Sequence, residues 1–124
     1  MTLHLNADRA IQDVQQEFTG AYPFLKLQCF TRPGSGENSF YRKHLNREVP
    51  IQSAGLKQRG EFHLTDNMTV GELENKLRSE FGLQVQVSRK SGNCWLETTM
   101  TDGWTLKQQN DHGRDLSQPV HRQG

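Results

Sequence analysis

The chain has 124 residues, a formal net charge of +1, 32% apolar residues and a mean hydropathy of −0.84. That length suits a single domain, and the near-zero charge gives no global pull toward nucleic acid or an anionic membrane. No apolar run is long enough for a signal-peptide core or a membrane span, so no membrane association and a cytoplasmic location are expected, with a thin core and much polar loop.

In chain order, Met1 to Asn6 turns polar at once and carries no clear element. Ile11, Val14, Phe18 and Tyr22 then fall at helical spacing. Leu25, Leu27 and Cys29 alternate along Phe24 to Thr31, the period of a half-buried strand. Residues 33–60 form a Gly-, Ser- and Arg-bearing connection longer than an ordinary loop in a compact domain, and so either mobile or functional. Between Lys26 and Gly60 seven cations (Lys26, Arg32, Arg42, Lys43, Arg47, Lys57, Arg59) stand against Glu37 and Glu48, the one charge asymmetry in the chain. Val49-Pro50-Ile51 reads as a short edge strand, where proline is tolerated, and Glu61 to Leu64 as a strand leading into a second helix.

Thr69 and Glu72 have capping-box spacing, with Met68 and Leu73 as the hydrophobic staple. Val70, Leu73, Leu77 and Phe81 continue at helical spacing, and Gly82 supplies a left-handed stop. Leu83 to Ser88 switches to a period of two. With Ser91-Gly92 as the turn, Cys94 to Thr99 returns as the second strand of a hairpin, setting Val87 opposite Leu96, Val85 opposite Thr98 and Leu83 opposite Met100. Thr105 to Gln108 again has capping-box spacing and opens a short helix ending near Gly113. The apolar period is lost from about His112, so residues 112–124 read as a disordered tail.

The two helix-strand segments match position by position: Ile11 with Val70, Val14 with Leu73, Phe18 with Leu77, Tyr22 with Phe81. After one inserted residue, Leu25 to Cys29 matches Leu83 to Val87. The fold class is therefore α+β: a two-layer sandwich with two helices on one face of a three- to four-stranded sheet, a C-terminal hairpin and a short final helix. Residues 1–111 make one domain. Its few large inward side chains set against the cost of ordering the chain mean that an extra surface such as a dimer interface would help.

No catalytic, cofactor-binding or metal-binding residue is assigned. His4, His44, His63, His112 and His121 show no ligand spacing and read as surface or tail histidines. Cys29 and Cys94 stand far apart and are expected to be reduced and buried. Nucleophile elbow, zincin, Walker and dinucleotide patterns are absent, and Gly34-Ser35-Gly36 is a plain loop. The polar face of the expected sheet is the candidate binding face, because Phe30 and Trp95 stand there among Gln28, Gln84 and Gln86 with nothing evident to cover them. Cover for Trp95 by the 33–60 connection or the Trp104 segment is the plainer alternative. Arg32, Arg89 and Lys90 end corresponding strands, and parallel neighbours would gather them, with Arg42 and Lys43 of the connection, into an anion-binding rim; ordinary solvated hairpin-end charges are the alternative.

The block RKSGN at 89–93, WLETT at 95–99, TDGWTL at 101–106 and QQN at 108–110, with TVGELE and FLKLQ before it, resembles a family of small uncharacterised bacterial proteins over residues 10–111. The resemblance implies a compact bacterial domain and brings no activity, ligand or site residue with it. Ser88 stands where such proteins lead one to expect an aromatic.

These readings converge on a non-enzymatic module that meets a protein partner, either a second copy of itself or another protein. The alternative is nucleic-acid binding, with Lys26, Arg32, Arg42, Lys43, Arg89 and Lys90 on phosphates and Phe30 or Trp95 stacking on bases. A small enzyme is a third class, which would need a concave pocket holding a perturbed titratable group.

Overall fold

The computed structural model describes residues 1–31 and 44–117; Arg32, Arg42 and Lys43 of the expected rim lie outside them. The fold is α+β, and the described residues form five strands and three α-helices: β1 Thr2–Leu5, α1 Ile11–Ala21, β2 Leu25–Phe30, β3 Gly60–His63, α2 Val70–Phe81, β4 Gln84–Ser91, β5 Cys94–Glu97 and α3 Leu106–Ser117. The strands form two antiparallel sheets, β1-β3 and β2-β4-β5, rather than the single three- to four-stranded sheet expected.

The repeat seen in the sequence governs this topology. The helix stripes Ile11, Val14, Phe18, Tyr22 and Val70, Leu73, Leu77, Phe81 are all buried, as are Leu25, Leu27, Cys29 and Leu83, Val85, Val87. The match also runs back into β1, which the local sequence pattern does not mark: Leu3 and Leu5 precede α1 at the same spacing as Phe62 and Leu64 precede α2, and all four are buried. Leu3 pairs with Phe62 across β1 and β3, and Gln28 pairs with Gln86 across β2 and β4. Each residue thus faces its own counterpart, so a local twofold relates β1-α1-β2 to β3-α2-β4.

The helix starts obey the same symmetry. An α-helix leaves its first N–H groups without internal partners. At α1 the N–H groups of Ile11 and Gln12 donate to the carbonyls of Val49 and Arg47 at 2.9 and 2.8 Å. At α2 those of Val70 and Gly71 donate to Trp104 and Asp102 at 3.1 and 2.8 Å. The Thr69-Glu72 box forms as read, with Glu72 N donating to Thr69 Oγ1 at 3.1 Å and Thr69 N to Glu72 Oε1 at 3.2 Å. Those hydrogen bonds from Thr69 hold the Glu72 carboxyl below its ordinary range. The equivalent Ala10 has no side-chain acceptor, and there only the Asp13 carboxylate reaches back, accepting from Ala10 N at 3.2 Å.

Gly82 takes the left-handed stop at φ 76°. It packs backbone to backbone against Gly55, where a Cβ on Gly82 would lie 2.6 Å from the Gly55 carbonyl oxygen. Val49-Pro50-Ile51 is not a strand: Pro50 makes one isolated bridge with Ala10, and Ile51–Ala54 coils into a 3-10 turn with Ile51 and Ala54 buried. The described part of the long connection is thereby fastened to the core.

The hairpin register departs from the expectation by two residues. β4 pairs Ser91 with Cys94, Lys90 with Trp95, Arg89 with Leu96 and Ser88 with Glu97. The two turn residues are Gly92 and Asn93. Gly92 adopts φ 61° while Asn93 stays on the negative side, the φ signs of a type II′ turn, which wants glycine first. Glycine's tolerance of positive φ therefore overrode the apolar matching that set Val87 opposite Leu96. Leu96 now stands opposite Arg89 instead of Val87, and Met100 lies in the 3-10 turn Thr99–Thr101 that follows β5; both are exposed, at 47% and 95%.

The final helix is also longer than read. Gln108 N donates to Thr105 Oγ1 at 3.1 Å and Thr105 N to Gln108 Oε1 at 2.9 Å, as the box requires. Yet α3 runs through Gly113 to Ser117, so residues 112–117 are helical, and residues 118–124 lie outside the described residues. Gly113 is not a stop: a Cβ there would stand 2.9 Å from the Phe24 Cβ and 3.0 Å from the Arg89 Cγ. Its place is dictated by close packing of α3 on the start of β2 and the end of β4.

Candidate functional site

β2 is an edge strand, and an unpaired edge invites foreign strands. Here α1 covers it with side chains one turn apart. Thr19 Oγ1 donates to the Leu25 carbonyl at 3.0 Å and Gln15 Nε2 to the Leu27 carbonyl at 2.6 Å, while Leu45 N donates to the Cys29 carbonyl at 2.9 Å. This lays the polar stripe of α1 beside the polar face of the sheet and opens a cleft between them.

One part of the cleft, about 230 Å³, is lined by Gln12, Gln15, Gln16, Thr19, Lys26, Arg47 and Trp95. A second part of about 250 Å³ shares Gln15, Lys26 and Arg47 and adds His44, Leu45 and Asn46. Lys26 Nζ stands 5.5 Å from the centre of the Trp95 ring, a cation-π distance. Arg47 is tied to α1 twice: its carbonyl accepts from Gln12 N at 2.8 Å, and its Nε lies 3.5 Å from Gln12 Oε1. The described lining thus holds two fixed cations, an indole, a histidine and several amides, with no carboxylate among them. Amide side chains offer donors and acceptors together, whereas the cations favour a negative group.

The residues singled out from sequence divide on this face. Lys26, Gln28 and Phe30 pair with Ser88, Gln86 and Gln84, so they share it as read. Trp95 is partly open at 37% exposure, and Gln28 and Gln84 are half-buried. Two members are corrected. Gln86 is sealed in and donates from Nε2 to Thr99 Oγ1 at 3.2 Å, and Phe30 is covered by His44, edge to face at 5.3 Å. The connection therefore covers Phe30, and Trp95 is the aromatic left accessible.

The anion-binding rim is not assembled from Arg89, because β2 and β4 run antiparallel. Arg89 pairs with Leu25 at the start of β2, the end opposite to Thr31. Its Nη1 donates to Gln109 Oε1 at 2.8 Å, and its guanidinium lies 5.7 Å from the centre of the Trp104 ring. Lys90 is half-buried beside Trp95, its strand partner. The sequence reading missed Gln12, Gln15, Gln16, Thr19 and Arg47. The available signal was an uncharged amide stripe at i, i+3 and i+4 on the outer face of an otherwise amphipathic helix.

Other titratable groups, outside the cleft lining, are governed by their local surroundings. Cys29 is buried, which pushes its thiol up to about 12, but Cys94 is exposed, contrary to expectation. A further hollow of about 330 Å³ lies along α3, lined by Trp104, Gln108, Asp111, His112 and Asp115. Asp111 accepts from Lys107 Nζ at 2.6 Å, and that hydrogen bond holds its carboxyl below the ordinary range. A carboxylate kept ionised in this way is suited to pairing with cations rather than to passing a proton near neutral pH. Among the described residues no three His, Cys, Asp or Glu side chains are grouped to hold a metal ion, and no helix is long and apolar enough to cross a membrane. Compared with known proteins, the chain matches no protein-family model, no curated protein and no solved structure.

Proposed function

We propose that this protein is a non-catalytic interaction module whose cleft between α1 and the open sheet face receives an acidic, extended segment of a protein partner. The observation that carries this reading is that the described lining brings Lys26 and Arg47 together with Trp95 and the amides of Gln12, Gln15 and Gln16, with no carboxylate among the described residues. Amides can answer the alternating N–H and C=O groups of an extended main chain. Trp95 offers an apolar plate with a polar edge, a residue type enriched at interfaces.

Nucleic-acid binding is less well supported. Affinity for a phosphate backbone grows with the number of phosphates neutralised. The described lining brings two cations to the cleft, Arg89 is engaged elsewhere, and the chain is close to neutral.

Fluorescence titration tests the proposal. In a Trp104→Phe background, Trp95 reports on the cleft. Short acidic peptides bearing an aromatic residue are expected to change its emission, and Lys26→Ala with Arg47→Ala is expected to weaken binding about tenfold or more, in line with about 1–2 kcal/mol for the loss of two charge-assisted contacts. A response to single-stranded oligonucleotides that falls steeply with salt, with none to the peptides, would replace this reading with the nucleic-acid one.

A further inference from the structure

We propose that β5 is a self-complementary edge through which two copies of this chain pair antiparallel into a dissociable homodimer with a continuous six-stranded sheet. The pairing rests on the β5 edge, although Trp95 and Lys26, which it brings near the second copy, also line the cleft. β5 ends the order β2-β4-β5, and all four of its residues are exposed. Unlike β2, whose edge carbonyls are occupied by α1 and Leu45, it has no described element along its outer side. Thr98 N donates to the Val87 carbonyl at 3.3 Å, which fixes the hydrogen-bonding phase of the hairpin: Leu96 and Cys94 turn their main-chain groups toward β4, and Trp95 and Glu97 turn theirs outward.

That phase selects one twofold register. With the axis at Leu96, Trp95 of each copy meets Glu97 of the other, and the two residues exchange both main-chain hydrogen bonds. Leu96 then faces Leu96 at a non-hydrogen-bonded pair, where side chains approach closest.

Three features favour a second copy over an unrelated strand. Leu96, exposed at 47%, would meet its own apolar equivalent. Glu97 of the second copy would arrive opposite Trp95, the ring that carries Lys26 Nζ at 5.5 Å and has Lys90 as its strand partner, so unlike charges meet twice across the axis. An interface that uses the same patch on both subunits also closes as a dimer without leaving a growing edge. Four residues per strand make a small contact beside the ~1,600 Å² of a standard interface, which is why the dimer is dissociable.

Disulfide trapping tests the register. In a Cys94→Ser background the other cysteine, Cys29, is buried and silent. Leu96→Cys is expected to give a covalent dimer under mild oxidation, because Cα atoms of a non-hydrogen-bonded pair lie about 4.5 Å apart, inside disulfide range. Trp95→Cys, which faces residue 97 rather than itself, is expected to cross-link far more slowly. Sedimentation of the unmodified chain is expected to show a concentration-dependent monomer-dimer equilibrium that Glu97→Lys shifts toward monomer at least severalfold. A monomer at every concentration with no Leu96→Cys cross-link would overturn the proposal, as would equal cross-linking at 95 and 96. Circular dichroism confirms that each variant is folded, which these exposed positions permit.

Discussion

Arg89 and Gln109 meet at 2.8 Å between the last residues of β4 and the first turns of α3, the guanidinium donating to an amide that is itself fully buried. The other end of Gln109 donates to the carbonyl and the hydroxyl of Thr101 at 2.6 and 2.9 Å. One neutral side chain therefore ties strand, helix and the turn after β5 together, and it gives the Arg89 cation an amide oxygen as its partner.

Gln109→Leu keeps the volume but strands both the guanidinium and the Thr101 groups. A loss of about 1–3 kcal/mol is expected in chemical denaturation. The paired change Arg89→Met with Gln109→Leu is expected to recover part of that loss, because removing both partners leaves no unsatisfied charge. Equal losses in the single and paired variants would show that Gln109 acts through packing alone.

Two glycines predict opposite signs for the same substitution. Gly20 lies near the end of α1 with open space around its would-be Cβ, so Gly20→Ala is expected to stabilise by about 0.5–1 kcal/mol through helix propensity and lost unfolded-state freedom. Gly113 also lies within a helix, but its would-be Cβ collides with the Cβ of Phe24, which has no rotamer to move away. Gly113→Ala is expected to lower stability by about 1–2 kcal/mol net, since overpacking costs about 1–3 and propensity returns about 1. Thermal melts of the two variants, a few degrees apart on either side of the parent, would check this.

Acid sensitivity has a nameable contributor. Burial raises the Glu17 carboxyl, but hydrogen bonds from His4 at 2.7 Å and Arg9 at 2.5 Å outweigh it and hold the carboxyl below its ordinary 4.5. A folded-state value below the unfolded one means that the stabilisation is present above about pH 4.5 and is lost as the pH falls through the folded value. Glu17→Gln is expected to cost about 1 kcal/mol or less at neutral pH and to flatten the decline in Tm below pH 4.5, leaving the shares of Glu72 and Asp111. Parallel Tm profiles for parent and variant across that range would refute it.

What was legible in the sequence is what neighbouring residues decide among themselves. The stripes of α1 and α2, the Thr69-Glu72 and Thr105-Gln108 boxes, the Gly82 stop and the repeat are all local patterns, and the structure keeps each of them. Such features depend on helical spacing and caps within a few residues, so they survive almost any tertiary arrangement. β1 escaped notice because two alternating leucines are too short a period to separate from coil. Its identity rests on Phe62 and His63, some sixty positions away, which complete its ladder.

Tertiary structure alone decided the rest. Period-two patterning assigns faces but leaves strand direction open, and antiparallel pairing of β2 with β4 is what sent Arg89 to Gln109 and Trp104 instead of to a rim. The hairpin slipped two residues because a turn's tolerance of positive φ outweighs an exposed leucine's wish for a partner. The cleft, likewise, is built from an amide stripe whose meaning appears only when α1 lies along the edge of β2. Amphipathic segments write their own shapes into the sequence, whereas the surfaces between them depend on which segments meet, and that is settled by pairing and packing over distances the local pattern does not record.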